Sequence, residues 1–232
     1  MADKKAYRKI ITEDEGYSKI IATIRLPEFY GDMNIDDGTG ALYNYVGCQR
    51  DKDDDLDFDF ECGIGYKPAE NKMWYNYGLY YSLVRPNHTK QWKWLKYKSG
   101  SNEGEYVALE EGTKYQLKLY CYDGEIRAKV YNEDDDHDLE YSATWEFEGP
   151  RKSGTNQKVR RVTSLLIPTT ASKTYYANNN SWTTTSIGDT ADDDDELENT
   201  VPSNCDYDQT DGVTVDWDNK YYDEIISLEI ED

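Results

Sequence analysis

The segment Asp55-Leu-Asp57-Phe-Asp59-Phe-Glu61-Cys62 places a carboxylate at every second residue. In an extended strand, successive side chains point to opposite faces. Strict alternation therefore expects Asp55, Asp57, Asp59 and Glu61 on one side and Leu56, Phe58, Phe60 and Cys62 on the other. Ionised carboxylates accept hydrogen bonds from hydroxyl groups, and a pair of them can exchange protons with a substrate. The next stretch, Met73–Tyr81, is dense in rings, and Gln91–Tyr97 brings Trp92 and Trp94. Aromatic rings bury the flat C–H face of a pyranose and make C–H···π contacts with it. Asp57, Asp59, Glu61, Trp74, Tyr77, Trp92 and Trp94 are the candidate ligand-binding residues. The competing readings are an acidic solvent-facing strand surface and rings that pack in the core. Trp74 and Tyr75 alternate, so only one of them can join any shared platform. No catalytic residue and no metal ligand is assigned.

Such a surface has to be carried by paired strands. Tyr17–Leu26 sets Ile20, Ala22, Ile24 and Leu26 against polar neighbours and stops at Pro27, which cannot donate to a ladder. Leu42–Gln49 reads as a Tyr-rich strand, Trp74–Val84 as a strand bulged at Gly78, and Tyr106–Leu109 as a short strand. Thr113–Tyr131 is the clearest hairpin: Tyr115, Leu117, Leu119 and Cys121 form one apolar row, and Ile126, Ala128 and Val130 form another. Between them Asp123-Gly124 suits a two-residue turn. Glu140–Glu148, Val159–Ile167, Gly212–Trp217 and Tyr221–Ile230 add further strands. No amphipathic helix of three turns and no internal repeat stands out. About a dozen short strands separated by turn residues predict an all-β, two-sheet antiparallel jelly-roll sandwich. The expected organisation is a single domain over 1–232, with 1–15 an N-terminal arm and 169–212 a long irregular region.

The composition narrows the partners. The chain has 232 residues and a net charge of −21, from 26 Lys and Arg against 47 Asp and Glu. A field of that sign repels phosphate backbones and anionic lipid surfaces, so nucleic acid and membrane are not expected partners. No apolar run reaches the length of a membrane span. Nor does an apolar stretch follow Lys4-Lys5. The expectation is a signal already removed from the numbered chain, or no export by that route. Cys48, Cys62, Cys121 and Cys205 allow three pairings and show no CxxC spacing, so disulfides and buried thiols both stay open. Asp134–Asp136, Asp192–Asp195 and Asp206–Gly212 offer oxygen ligands for calcium, with solvated acidic loops as the alternative. No other cofactor is expected. His88 and His137 lie 49 residues apart with no third partner. Asn87-His-Thr89 and Asn179-Asn-Ser181 match the glycosylation sequon.

Four pieces carry a family resemblance: Tyr17–Pro27, Tyr43–Gly47, the acid-x-acid-x-Gly-x-x-Tyr strand Asp59–Tyr66, and Thr113–Tyr131. On these the chain resembles concanavalin A-like lectin/glucanase sandwiches, and more narrowly a group of uncharacterised secreted bacterial proteins of that fold. The narrow group implies no activity. The fold's laminarinase-like enzymes carry Glu-x-Asp-x-Glu or Glu-x-Asp-x-x-Glu on one strand. Similarity to that motif would put Asp57 at the nucleophile position, Asp59 at the centre and Glu61 at the acid position. Residues four apart on a strand are about 13 Å apart at Cα. A retaining pair needs carboxyl groups about 5–5.5 Å apart, and a short Asp at 57 spans that gap less well than Glu.

The resulting expectation is a non-enzymatic protein outside the cell, or on a cell or spore surface. It would bind a glycan or cell-surface polymer on a concave acidic and aromatic sheet. The alternatives are a self-associating structural subunit of a coat, appendage or matrix, and a β-glucanase-like hydrolase.

Overall fold

A computed structural model describes residues 4–35, 40–52, 55–67, 72–82, 89–94, 109–122, 125–135, 138–146, 157–167, 174–188, 205–218 and 223–231. In several strand segments, 50–52, 55–58, 72–82 and 89–94 among them, the description covers the backbone alone.

In chain order the strands are β1 (Lys4–Thr12), β2 (Lys19–Arg25), β3 (Met33–Asn34), β4 (Ala41–Lys52), β5 (Asp55–Lys67), β6 (Lys72–Ser82), β7 (Thr89–Trp94), β8 (Lys114–Tyr122), β9 (Glu125–Asn132), β10 (Asp138–Glu146), β11 (Lys158–Ile167), β12 (Tyr175–Gly188), β13 (Cys205–Gln209), β14 (Val213–Asp218) and β15 (Asp223–Ile230). One helical turn, α1 (Phe29–Asp32), precedes β3. They form two antiparallel sheets. Sheet A runs β13-β1-β11-β4-β5-β6-β7, and sheet B runs β10-β9-β8-β2-β12-β15-β14, with β3 beside β12. The chain crosses repeatedly between the sheets, and the result is the expected two-sheet antiparallel jelly-roll sandwich.

Period-2 patterning explains the packing. Leu42, Val46 and Cys48 of β4 face Phe60, Cys62, Ile64 and Tyr66 of β5 across the ladder, and all are buried. The β8–β9 hairpin supplies Tyr115, Leu117, Leu119, Cys121, Ile126, Ala128 and Val130 from the other layer. A Cys48–Cys121 disulfide joins β4 to β8, and so joins sheet A to sheet B. Cys62 and Cys205 are free thiols. Burial pushes each of them up to about 12. The thiolate is the nucleophile, so alkylation of the native protein at pH 8 is expected to be slow at both positions. Denaturation without reductant should expose two reactive thiols per chain, and denaturation with reductant four; mass measurement after labelling counts them. The sign for stability follows. The native state keeps these protons where the unfolded chain has lost them, so the contribution is present below the ordinary thiol range and declines as pH rises toward 12.

Several expectations need correction. Residues 4–12 are not an arm but β1, an inner strand between β13 and β11. Its inward row is Ala6, Arg8 and Ile10, and a buried arginine hides the alternation. Residues 175–188 are not irregular but form β12, an inner strand of sheet B. Two register shifts, at Ala177/Asn180 and Trp182/Thr184, break its period, and polar Asn180 faces inward. Asn179 takes φ 55 in the first irregularity, the left-handed region that asparagine tolerates better than most residues. β13 also falls inside the supposed irregular region. Gly78 pairs in continuous register with Cys62, so no bulge lies there. The Asp123-Gly124 turn, residues 106–108 and both histidines lie outside the described residues.

Candidate functional site

The outer face of sheet A, turned away from sheet B, gathers the polar chemistry. Antiparallel register brings Arg160 of β11 opposite Gly47 of β4, and Gly47 opposite Glu61 of β5. Two residues along β4, Gln49 pairs with Asp59, and two residues the other way Tyr45 pairs with Gly63. These residues therefore share one face.

Arg160 crosses over β4 to reach β5. Its Nη1 donates to Gln49 Oε1 at 2.5 Å and its Nη2 to Asp59 Oδ1 at 2.5 Å, while Glu61 Oε2 lies 3.7 Å from Nη2. Glycine at 47 makes that crossing fit. A Cβ there would stand 2.7 Å from the Phe60 carbonyl oxygen and 3.2 Å from Arg160 Nε. Gly63 is also tight: a Cβ would meet the Asn44 carbonyl oxygen, and Tyr45 Cβ at 2.5 Å. The result is a glycine floor with Arg160 lying across it. The Arg160 side chain is 7% exposed, Asp59 24% and Glu61 16%, so the carboxylates are what solvent reaches. Among the described residues, Arg160 Nε is buried without a hydrogen-bond partner.

Electrostatics act on the guanidinium and on the phenol beside it. Burial alone would lower the Arg160 pKa. Asp59, Tyr45 and Glu61 outweigh it, so the guanidinium stays charged more firmly than usual. Burial and the Glu61 carboxylate push the Tyr45 phenol well above its ordinary range, and a hydrogen bond to Glu61 acts in the same direction. Gly47→Ala is expected to destabilise by about 1–3 kcal/mol, because the clash is with backbone and with a pinned arginine. Thermal denaturation measures it; a melting point unchanged from the parent would mean that Arg160 has another route.

The sequence-based candidates divide. Asp59 and Glu61 are brought together on this face. Asp57 is the extra residue of a bulge: Arg50 pairs with Phe58 but Asp51 pairs with Leu56. Bulges break alternation, so the run from 55 to 61 is not one regular row. The Asp57 side chain lies outside the described residues, as do those of Trp74, Tyr77, Trp92 and Trp94. At backbone level Tyr77 pairs with Gly63 and with Trp94, and Leu79 pairs with Glu61 and with Trp92. Tyr77 and Trp94 thus occupy the ladder row of Gly63, and Trp92 that of Glu61, whereas the Asp59 row continues to Tyr81 and Lys90. Trp74 stands one residue from Tyr75, off the row that Tyr75 shares with Gly65.

Arg160, Gln49 and Tyr45 were missed. Alternation in Lys158-Val-Arg-Arg161 does assign Arg160 and Arg161 to opposite faces, but only the β11–β4 pairing shows where Arg160 goes.

The calcium candidates fare differently. Asp206–Gln209 belongs to strand β13, where Asp208 Oδ2 accepts from the Tyr7 hydroxyl at 2.9 Å and lies 3.5 Å from Lys9 Nζ. Asp134 accepts from the Lys114 backbone amide at 2.9 Å. Asp192–Asp195 lies outside the described residues. Among the described residues no group of three or more His, Cys, Asp or Glu could hold a metal ion.

No family model matches the chain, and no curated protein matches it. Among solved structures, SCP-B, an eqolisin-family peptidase in complex with the tripeptide Ala-Ile-His, aligns over 97% of this chain and 98% of its own, with TM-score 0.50 and 10% identity. Scytalido-glutamic peptidase with a peptide-based transition state analogue aligns over 98% and 100%, with TM-score 0.47 and 11% identity. The alginate lyase from Klebsiella pneumoniae aligns over 65% and 58%, with TM-score 0.39 and 10% identity. The likeness to SCP-B is one of fold, and the class it supports is the two-sheet antiparallel β-sandwich.

Proposed function

We propose that this chain is a non-enzymatic, concanavalin A-like sandwich that binds a glycan on the outer face of sheet A. The observation that carries the reading is the Arg160–Asp59–Gln49 network laid over Gly47. A fixed, half-buried set of acceptors on a side-chain-free floor suits sugar hydroxyls, which need oriented partners and close approach. The Tyr77, Trp92 and Trp94 ladder positions would border it with rings. A hydrolase is less well supported. The bulge at Asp57 removes the regular spacing that a retaining pair would use, and Asp59 is committed to Arg160.

An extracellular or surface location accompanies the reading. The Cys48–Cys121 disulfide supports it, because disulfides persist in oxidising compartments.

Titration calorimetry against soluble β-glucans and cell-wall oligosaccharides tests the proposal. Binding is expected for the parent, with Asp59→Asn weakening it at least about tenfold, the scale of a charged hydrogen bond. A folded parent with no heat against the whole panel would sink it.

A further inference from the structure

Arg160 fixes more than its own position. A guanidinium carries only N–H donors, so each group that faces it must present an oxygen. Its Nη1 donates to Gln49 Oε1 and its Nη2 to Asp59 Oδ1, each at 2.5 Å. One rigid planar fork thus sets two side chains from two neighbouring strands. Gln49 and Asp59 stand directly opposite each other in the β4–β5 register, where Cβ atoms are about 4.5–5.5 Å apart. With its oxygen on Arg160, the Gln49 amide turns its nitrogen away from the cation. On its other side Gln49 pairs with Lys158 of β11, a donor that cannot accept from that nitrogen either.

A primary amide nitrogen has two N–H donors, and an ionised carboxylate has about four lone-pair sites. Arg160 takes one of those sites, on Asp59 Oδ1. Gln49 is half-buried, and the Asp59 side chain is 24% exposed. A donor and an acceptor are therefore held side by side by the same cation, at a place solvent reaches. Two hydroxyls on neighbouring ring carbons complement that pair. One takes a hydrogen from the amide while the other gives a hydrogen to the carboxylate, and neither oxygen has to serve both groups. A site built to hydrogen-bond particular hydroxyls rejects analogues that lack them, because its polar groups are then left unpaired.

On the reading of this face as a glycan site, we infer that Gln49 and Asp59 together take a vicinal diol, and that the site therefore selects β-1,4-linked chains over β-1,3-linked ones. Gln49 is the added binding residue: its Nε2 donates to one hydroxyl, and Asp59 accepts from the next. Inside a 1,4-linked glucan or xylan chain O2 and O3 are both free and on adjacent carbons. Inside a 1,3-linked glucan chain the linkage consumes O3, and O2 and O4 are left on carbons that are not neighbours. Arg160 touches no sugar in this arrangement; it is a positioning residue for both partners of the diol.

Titration calorimetry of the full chain with cellohexaose and with a linear β-1,3-glucan polymer, concentrations counted per sugar residue, tests this. Cellohexaose is expected to bind the parent at least about tenfold more tightly, the scale of one charged hydrogen bond. Gln49→Glu keeps an oxygen for Arg160 and removes the N–H donors. With circular dichroism like the parent, it should bring the two affinities to within about twofold of each other. A β-1,3-glucan that binds the parent as tightly as cellohexaose overturns the inference and leaves the glycan reading standing. So does a preference for cellohexaose that Gln49→Glu leaves unchanged, since rings or other polar groups would then set it. No heat from either ligand with a folded parent removes the glycan reading itself, and the selectivity with it.

Discussion

Glu224→Gln is expected to destabilise the fold by about 3–5 kcal/mol, the usual cost of stranding a buried charge. Glu224 is fully buried between the sheets. Arg8 Nη2 donates to Glu224 Oε1 at 2.7 Å, and Arg161 Nη2 donates to Glu224 Oε2 at 2.8 Å. The glutamine keeps the shape and removes the negative charge that both guanidiniums share. The contacts to Gln209, Tyr207 and Thr185 carry no such charge. Arg8 donates to Gln209 Oε1 at 3.0 Å and lies 4.8 Å from the Tyr207 ring centroid, and Arg161 donates to Thr185 Oγ1. Burial already lowers the Arg161 pKa in spite of Glu224, so carrying charge at this point is costly. For a chain of this size each kcal/mol moves the midpoint by roughly 2–4 °C, which gives a fall of roughly 6–20 °C. The control is the triple change Arg8→Met, Arg161→Met and Glu224→Leu. It removes every charge of the triad at once and should melt near or above the parent, because apolar replacements of buried ion triads are often neutral or stabilising. A Glu224→Gln protein within about 1 kcal/mol of the parent, against the 3–5 expected, would mean that water enters the cluster and solvates it.

That cluster shows where the sequence stops being legible. Wherever an inward row was wholly apolar, as in Ile20-Ala22-Ile24-Leu26 or the β8–β9 hairpin, alternation identified the strand and its buried face. Wherever the interior is polar, it did not. Arg8, Arg161, Glu224, Asn44, Asn180 and Thr163 are all buried between the sheets. Asn44 Nδ2 donates to Asn180 Oδ1 at 3.2 Å, Thr163 Oγ1 to Asn44 Oδ1 at 2.8 Å, and Trp182 Nε1 to Thr163 Oγ1 at 2.9 Å. Each of these polar residues, read alone, signals loop or solvent. Their satisfaction depends on partners more than a hundred residues away for Asn44, Arg8 and Thr163. A single strand cannot disclose that. The same holds on the proposed ligand face. Asp59 and Glu61 follow from local alternation, whereas Arg160 and Gln49 join them only through the β11–β4–β5 register. Asp57 is lost from the row because a bulge is a property of the pair of strands and not of either one.

Removing the Cys48–Cys121 disulfide is the second large effect. The cross-link spans 73 residues of sequence, and loop-closure entropy assigns it about 4 kcal/mol. The double change Cys48→Ala/Cys121→Ala should lower the midpoint by roughly 8–16 °C. Its position makes the readout informative. Cys48 lies between Gly47 and Gln49, and its ladder partner Phe60 lies between Asp59 and Glu61. The disulfide therefore ties the back of the proposed ligand face to sheet B. The face itself is held by the hydrogen-bonded ladder of β11, β4 and β5, which the double change leaves intact. A cross-link stabilises mainly by restricting the unfolded chain, so its loss need not disturb the folded face. Below the melting transition, glycan affinity should thus stay within about threefold of the parent while stability falls. Affinity lost together with stability would show instead that the disulfide shapes the folded site. Equal midpoints with and without reductant would show that the bond contributes no measurable cross-link.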